Sequence, residues 1–241
     1  MKKIILIFAC AVSMIPSAKS QQTTTNDGEF KVRDQTTKSE KSKKDDDDEK
    51  AFKQGTFDFT IGYGYPDMYK TIIKSLVDNS GNTYEVKGLG PAFLKVEYGV
   101  TKLIGIGAVI GYQSISVSDT YLYQDYNSTT GGYNTYEEVE KLTYTSLSVA
   151  ARINFHFGTG KKLDPYAGVG VGYSQKQYKF TYTTNNPNGL RTTPETYSGL
   201  IPFYLGITAG IRYYFTPNIG IYGEVGFDKW SLIQGGLAIK F

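Results

Sequence analysis

Cysteine and histidine are almost missing from this sequence. Cys10 and His156 are the only examples among 241 residues. Cys10 falls in an N-terminal segment expected to be removed, so the mature chain would hold neither a disulfide nor a cysteine-based metal site. With one imidazole, a metal would have to be bound by carboxylates alone, and no metal or cofactor is expected. Long apolar runs are also missing. Past the first twenty residues nothing approaches the roughly 18 unbroken apolar residues of a membrane helix. Nor does charge of one sign dominate. The formal charge is +3 with His neutral, and Lys2, Lys3 and Lys19 of the leader account for it. A neutral mature chain has no electrostatic reason to bind nucleic acid, so none is expected as a partner.

What is present changes character twice. Residues 1–20 read as a secretory signal: Lys2 and Lys3, an apolar run from Ile4 to Ile15, then Ala18 and Ser20 at the −3 and −1 positions of a cut before Gln21. "IFAC" as a lipid-attachment box at Cys10 is the rival reading; the apolar stretch before it is very short and apolar residues continue after it. Residues 21–53 are rich in Lys, Asp, Glu, Thr and Gln and read as a disordered charged linker. Its acidic run, Asp45 to Glu49, lacks the glycine turn of a calcium loop and reads as solvated chain.

From residue 54 the pattern has period two, in a chain with 21 Tyr and 27 Gly, a usage that suits strands. Phe57, Phe59, Ile61 and Tyr63 alternate with Asp58, Thr60 and Gly62, and seven more segments repeat the pattern, the last ending Ile233, Gly235, Leu237, Ile239, Phe241. Eight strands result. The first, third and fifth connections are long, around Pro66–Glu85, Ser118–Glu140 and Thr183–Ser198. The second, fourth, sixth and seventh are short. The fold class expected is all-β: an eight-stranded antiparallel up-and-down transmembrane β-barrel over 54–241, with a long-loop end and a short-turn end.

Volume decides which face points inward. The apolar set is bulky on nearly every strand, and the opposite set is Gly, Ser and Thr with a few charges. A soluble barrel would put the bulky set inside. The reverse arrangement sets the bulky band against lipid and leaves small residues around a narrow lumen. Asp58, Lys95, Glu97, Arg152, Arg212, Glu224 and Lys240 then fall inside, with both signs in similar number, and are expected to pair as a polar plug. His156 shares that face near the short-turn end and is read as a satisfied lumen histidine, because nothing places a nucleophile beside it. The chain is not expected to be an enzyme. Aromatic belts are expected at Tyr63, Tyr65, Tyr112, Tyr173 and Trp230 near the long-loop end, and at Tyr98, Phe157, Phe215 and Phe241 near the other.

The last strand resembles the C-terminal β-signal of outer-membrane proteins. Gln234, Gly236, Ile239 and Phe241 match its polar residue, its glycine two later, and its apolar or aromatic residues third and fifth after the glycine. "LDPYAGVGVGY" (Leu163 to Tyr173) is similar to a strand common in the small outer-membrane β-barrel superfamily, the OmpA/OmpX-type barrels often described as porin-like. The resemblance covers 54–241. It implies the bacterial outer membrane as location, outer-membrane lipid and the outer-membrane assembly machinery as partners, a periplasmic linker and a monomeric barrel.

The long connections carry the individuality. Asp119 to Glu140 holds Tyr121, Tyr123, Tyr126, Tyr133 and Tyr136 around Gly131-Gly132, read as a hairpin with cross-strand Tyr pairs or as a recognition surface for an extracellular partner. Met68, Ile72, Ile73, Leu76 and Val77 fit a short helical stripe in the first connection. The expected role is structural or interactive. A narrow channel for small or hydrophobic solutes and a secreted soluble ligand-binding barrel are the alternatives.

Overall fold

The computed structural model of the protein describes residues 50–78, 84–158, 160–188 and 193–241. The expected signal segment, most of the expected linker and its acidic run lie outside them. In chain order the elements are β1 Phe57–Tyr65, α1 Met68–Asp78, β2 Tyr84–Gly99, β3 Ile104–Asn127, β4 Gly132–His156, β5 Leu163–Thr184, β6 Glu195–Ser198, β7 Phe203–Tyr214, β8 Ile219–Asp228 and β9 Ser231–Lys240. All pairings are antiparallel. The ring runs β1-β2-β3-β4-β5-β7-β8-β9 and closes by β9 on β1, with Ile61 opposite Leu237. Even Phe241 is held, exchanging backbone hydrogen bonds with Phe57 at 2.9 and 3.2 Å. β6 pairs with β5 beyond β7, so the two occupy one position in the wall, interrupted at 199–202. The ring is therefore eight-stranded, as the alternation implied.

Turn chemistry sets the short end. Thr101 Oγ1 accepts from the Ile104 amide at 2.9 Å, and Thr216 Oγ1 from the Ile219 amide at the same distance. At the opposite, long-loop end β8 and β9 are joined by Lys229 and Trp230 alone, both at positive φ (46° and 64°). That mirror-image turn matches the twist of the strands it joins.

The wall is uneven. β3, β4 and β5 have 24, 25 and 22 residues, whereas β1, β8 and β9 have 9, 10 and 10. The second of the long connections is accordingly strand, with pairing from Ser118↔Lys141 out to Asn127↔Gly132. Tyr123 faces Tyr136 and Tyr126 faces Tyr133, with ring centroids 5.7 and 5.5 Å apart. The cross-strand hairpin reading holds, and these aromatic contacts are why the pairing runs past the expected strand ends. The helical stripe becomes α1. Asp67 caps it, its Oδ1 accepting from the Lys70 amide at 2.9 Å, and the Met68 amide donates to the Trp230 carbonyl.

The faces fall as volume argued. Ile207 and Leu237 are 54% and 53% exposed, whereas Asp58 and Gln113 are 1% and 0%. On the three tall strands the pattern then reverses along one line. Outward residues of β3 run Ile104, Ile106, Ala108, Ile110, Tyr112, then Ser114, Ser116, Ser118. Those of β4 run upward Phe155, Ile153, Ala151, Val149, Leu147, then Thr145, Thr143, Lys141. On β5, Val169, Val171 and Tyr173 give way to Gln175, Gln177 and Lys179. Tyr112 is opposite Leu147, Leu147 is opposite Gln175 and Val149 is opposite Tyr173, so the change is in register between β3 and β4 and steps two residues down between β4 and β5. The interior changes with it. Above this line Ile115, Val117, Leu142 and Tyr144 are buried, as are Tyr69 and Ile73 of α1, and the Tyr69 and Tyr144 rings lie 4.5 Å apart. From Leu163 to Tyr173 a tilted strand rises about 25 Å, the height of a hydrocarbon band.

Candidate functional site

The lumen below that line is an ion network in two joined tiers. In the lower tier Arg212 Nη1 reaches Asp58 Oδ2 and Asp164 Oδ2, each at 3.3 Å, and Arg212 Nη2 contacts Glu97 Oε2. His156 Nε2 faces Glu97 Oε1 at 2.6 Å, and Nδ1 faces Asp164 Oδ1 at 2.8 Å. Each ring nitrogen of His156 thus has its own carboxyl partner. The Tyr214 hydroxyl donates to Asp58, and the Arg212 guanidinium lies 4.4 Å from the centre of the Tyr166 ring.

In the upper tier Arg152 grips Glu224 with both terminal nitrogens, at 3.0 and 3.3 Å. Lys95 Nζ donates to Glu224 Oε2 and Gln234 Oε1, both at 2.7 Å, and lies 3.8 Å from Asp228 Oδ2. The Tyr166 hydroxyl completes Glu224 at 2.7 Å. Asn154 joins the tiers, accepting from Arg152 Nε at 2.7 Å and donating to Glu97 Oε2 at 2.8 Å. Arg152 Nη2 also donates to Thr208 Oγ1. Higher still, Lys229 Nζ donates to Ser146 and Ser148 at 2.8 and 2.7 Å.

Charges buried this deeply persist only when paired and hydrogen-bonded, and glycine makes the room. A Cβ on Gly105 would overlap the Glu97 carboxylate, and one on Gly168 the Asn154 amide. Other parts of the chain meet the inner face at both ends. At the long-loop end α1 lies over the bore, and Gln113 Nε2 donates to its capping Asp67 at 2.8 Å. At the short-turn end Phe52 stacks on His156, centroids 3.4 Å apart and planes within 4°. Ala51 and Phe52 are buried, and the compact unit that holds the strands includes them. A reading by period two could not register these two apolar side chains.

The expected lumen residues are brought together with one difference. Lys240 is half-buried at the rim, where its Nζ donates to the Ala51 carbonyl at 2.9 Å and lies over the Tyr214 ring. Gln234 and Gly236 lie on the inner face of β9, Gln234 as a ligand of Lys95, and Ile239 and Phe241 on its outer face. Sequence reasoning missed Asp164, Asp228 and Lys229. The first two share the parity of Tyr166 and Glu224 and were findable by extending the strands. Lys229 was not, because it lies in the β8–β9 turn at positive φ, where strand alternation does not apply. Both nitrogens of His156 are engaged by carboxylates, which leaves neither to take a proton from a nucleophile.

No family model matches the sequence and no curated protein matches it. Among solved structures, similarity is found to the N-terminal β-barrel domain of OprF from Pseudomonas aeruginosa, at 15% identity and a TM-score of 0.35, over 78% of this chain and 98% of that one. It is also found to Ail, the attachment invasion locus protein of Yersinia pestis, at 16% identity and a TM-score of 0.37, over 78% and 99%. Ail in complex with the heparin analogue sucrose octasulfate matches at 16% and 0.36. Likeness this distant carries no function. By strand count, closure and polarity, the chain is a closed eight-stranded antiparallel β-barrel with an apolar band outside and paired ions inside.

Proposed function

We propose that the protein is an integral barrel of a bacterial outer membrane with a structural or surface-interaction role and a sealed lumen. The observation that carries this is the changeover of polarity on three adjacent strands at Tyr112, Leu147 and Tyr173. Below it the outside is apolar and the inside charged; above it both faces change over together. A protein in one solvent has no reason for such a line, and hydrocarbon requires it. The tall β2–β5 wall then projects outward, and the charged linker lies in the periplasm. The ion ladder, α1 and Phe52 together support a plug over a conducting path, and the charged interior argues against an apolar ligand cavity. Gln234, Gly236, Ile239 and Phe241, on the strand that closes the ring, fit recognition by the outer-membrane assembly machinery.

Two experiments test this. Membrane fractionation with protease shaving of intact cells should recover the protein in the outer membrane, cut within the β3–β4 hairpin. Recovery in a soluble fraction overturns the location. Planar-bilayer recording should show no steady conductance; a reproducible single-channel step overturns the plug and favours the channel.

A further inference from the structure

The buried cations of the lumen are not all answered alike. Lys95, Arg152 and Arg212 each lie within ion-pair distance of a carboxylate. Lys229 is also buried and does not. Its Nζ donates to Ser146 Oγ and Ser148 Oγ at 2.8 and 2.7 Å, and to nothing else among the described residues. The carboxylate of Asp228, next to it in the chain, is taken: Oδ1 accepts from the Tyr204 hydroxyl and Oδ2 faces Lys95. The Asp67 carboxylate bears on Tyr144 and not on Lys229. The other charge that Lys229 feels is a like one. It comes from Lys176, half-buried on β5, whose Nζ donates to the Ile201 carbonyl at 3.1 Å.

Hydroxyls cannot supply what is missing. An ammonium has three N–H groups, and Lys229 places two. Ser148 accepts from Lys229 and donates to Ser174 at 2.9 Å. Ser146 and Ser174 share one hydrogen over 3.1 Å, so whichever accepts there keeps its own to give. Tyr144, next inward on β4, brings a further hydrogen and no charge. Donors therefore exceed acceptors around an uncompensated positive charge, an arrangement that burial makes costly. The fold builds it deliberately. Ser146 and Ser148 are alternate residues of β4, Ser174 lies opposite Ser148, and the Lys229 stem passes Gly111, where a Cβ would come within 2.9 Å of its Cδ.

We infer that Lys229, Ser146, Ser148 and Ser174 form a binding site for a small monovalent anion of the halide class. A halide accepts from several donors at once and demands no particular direction of them. Each of the four residues is at most 6% exposed, so the room beside the spare donors suits a monatomic ion and not a phosphate or a larger ligand. The anion gives Lys229 the counter-charge that the tiers below draw from carboxylates.

Trp230 follows Lys229 in the chain and is its only tryptophan, so its emission reports the site. The full chain, folded in detergent micelles, is titrated with sodium bromide while sodium gluconate keeps the ionic strength constant. Bromide should quench Trp230 in a saturable step above the linear collisional loss, and chloride should displace it at comparable concentration. Lys229→Gln keeps a donor, removes the charge and should abolish the step. Lys176→Gln should weaken binding about threefold, as expected of a half-exposed charge. Lys179→Gln, outward on the same strand, should leave it unchanged. Circular dichroism confirms that each variant is folded, and Lys176→Gln carries the test if Lys229→Gln does not fold. Purely linear quenching of the wild type overturns the inference and leaves the spare donors to water. So does an unchanged midpoint in either of the first two variants. Displacement by inorganic phosphate at lower concentration than chloride overturns the halide class.

Discussion

The lower ring and the upper wall are built from the same strands and obey opposite rules. On β4, Ile153 faces outward and Arg152 inward; ten residues higher along the same strand, Thr143 faces outward and Leu142 inward. Neither the backbone geometry nor the pairing register changes between these points. What changes is the medium outside, and with it the medium inside. In the ring, small inward residues and paired ions leave the bulky groups for hydrocarbon. In the wall, ordinary aqueous amphipathicity returns, and α1 covers the apolar strip that results. A strand's polarity pattern therefore records what surrounds it, not what it is.

The ring should break hardest from within. Arg212→Leu leaves Asp58, Glu97 and Asp164 converging on an apolar side chain, and removing one partner from a buried network costs about 3–5 kcal/mol. Urea unfolding in lipid vesicles should show that loss. A midpoint close to wild type would mean that the tiers do not hold the ring. The comparison itself is sharpened by one substitution made on both sides of the line. Ile207→Arg, outward on β7 in the band, should cost about 2–4 kcal/mol. Thr181→Arg, outward on β5 in the wall, should cost within about 0.5 kcal/mol. Thr208→Ser keeps the hydroxyl that Arg152 uses and should cost little. Equal costs for the two arginines would erase the boundary. Smaller still, Tyr123→Ala removes one cross-strand ring pair in the wall and should cost up to about 1 kcal/mol, visible as faster amide exchange at the hairpin tip.

The ring was more legible than the wall for the same reason. Eight strands, their faces and most of the lumen ions follow from period two because hydrocarbon tolerates few exceptions: Asp58, Lys95, Glu97, Arg152, Arg212 and Glu224 all lie where parity put them. Past Tyr112 both faces of a strand become mixed, and Thr, Tyr and Ser satisfy a loop as well as a strand. The hairpin from Ser118 to Glu140 looked like a connection for that reason. The two end elements failed differently. α1 was visible as a stripe, Asp67 capping it, but its seat over the bore depends on Gln113 and Trp230 from distant strands. Phe52 sits alone in a charged stretch, and only the ring of His156 gives it a place.

The weakest effect expected lies in the wall. Asp119 and Glu140 are paired like charges, and burial followed by that neighbour raises the Asp119 carboxyl. A carboxyl raised in the folded state favours folding below its unfolded value, near pH 4, and loses that contribution as pH rises through its folded value. At pH 7 the charge therefore opposes the wall. Asp119→Asn should stabilise it by about 0.3 kcal/mol there, after solvent screening, and by nothing near pH 3, where both side chains are neutral. Urea titrations at the two pH values measure the difference. A gain that persists in acid would place its origin in packing instead. A wild type more stable than the variant at pH 7 would mean that a cation of the chain offsets the repulsion between the two acids.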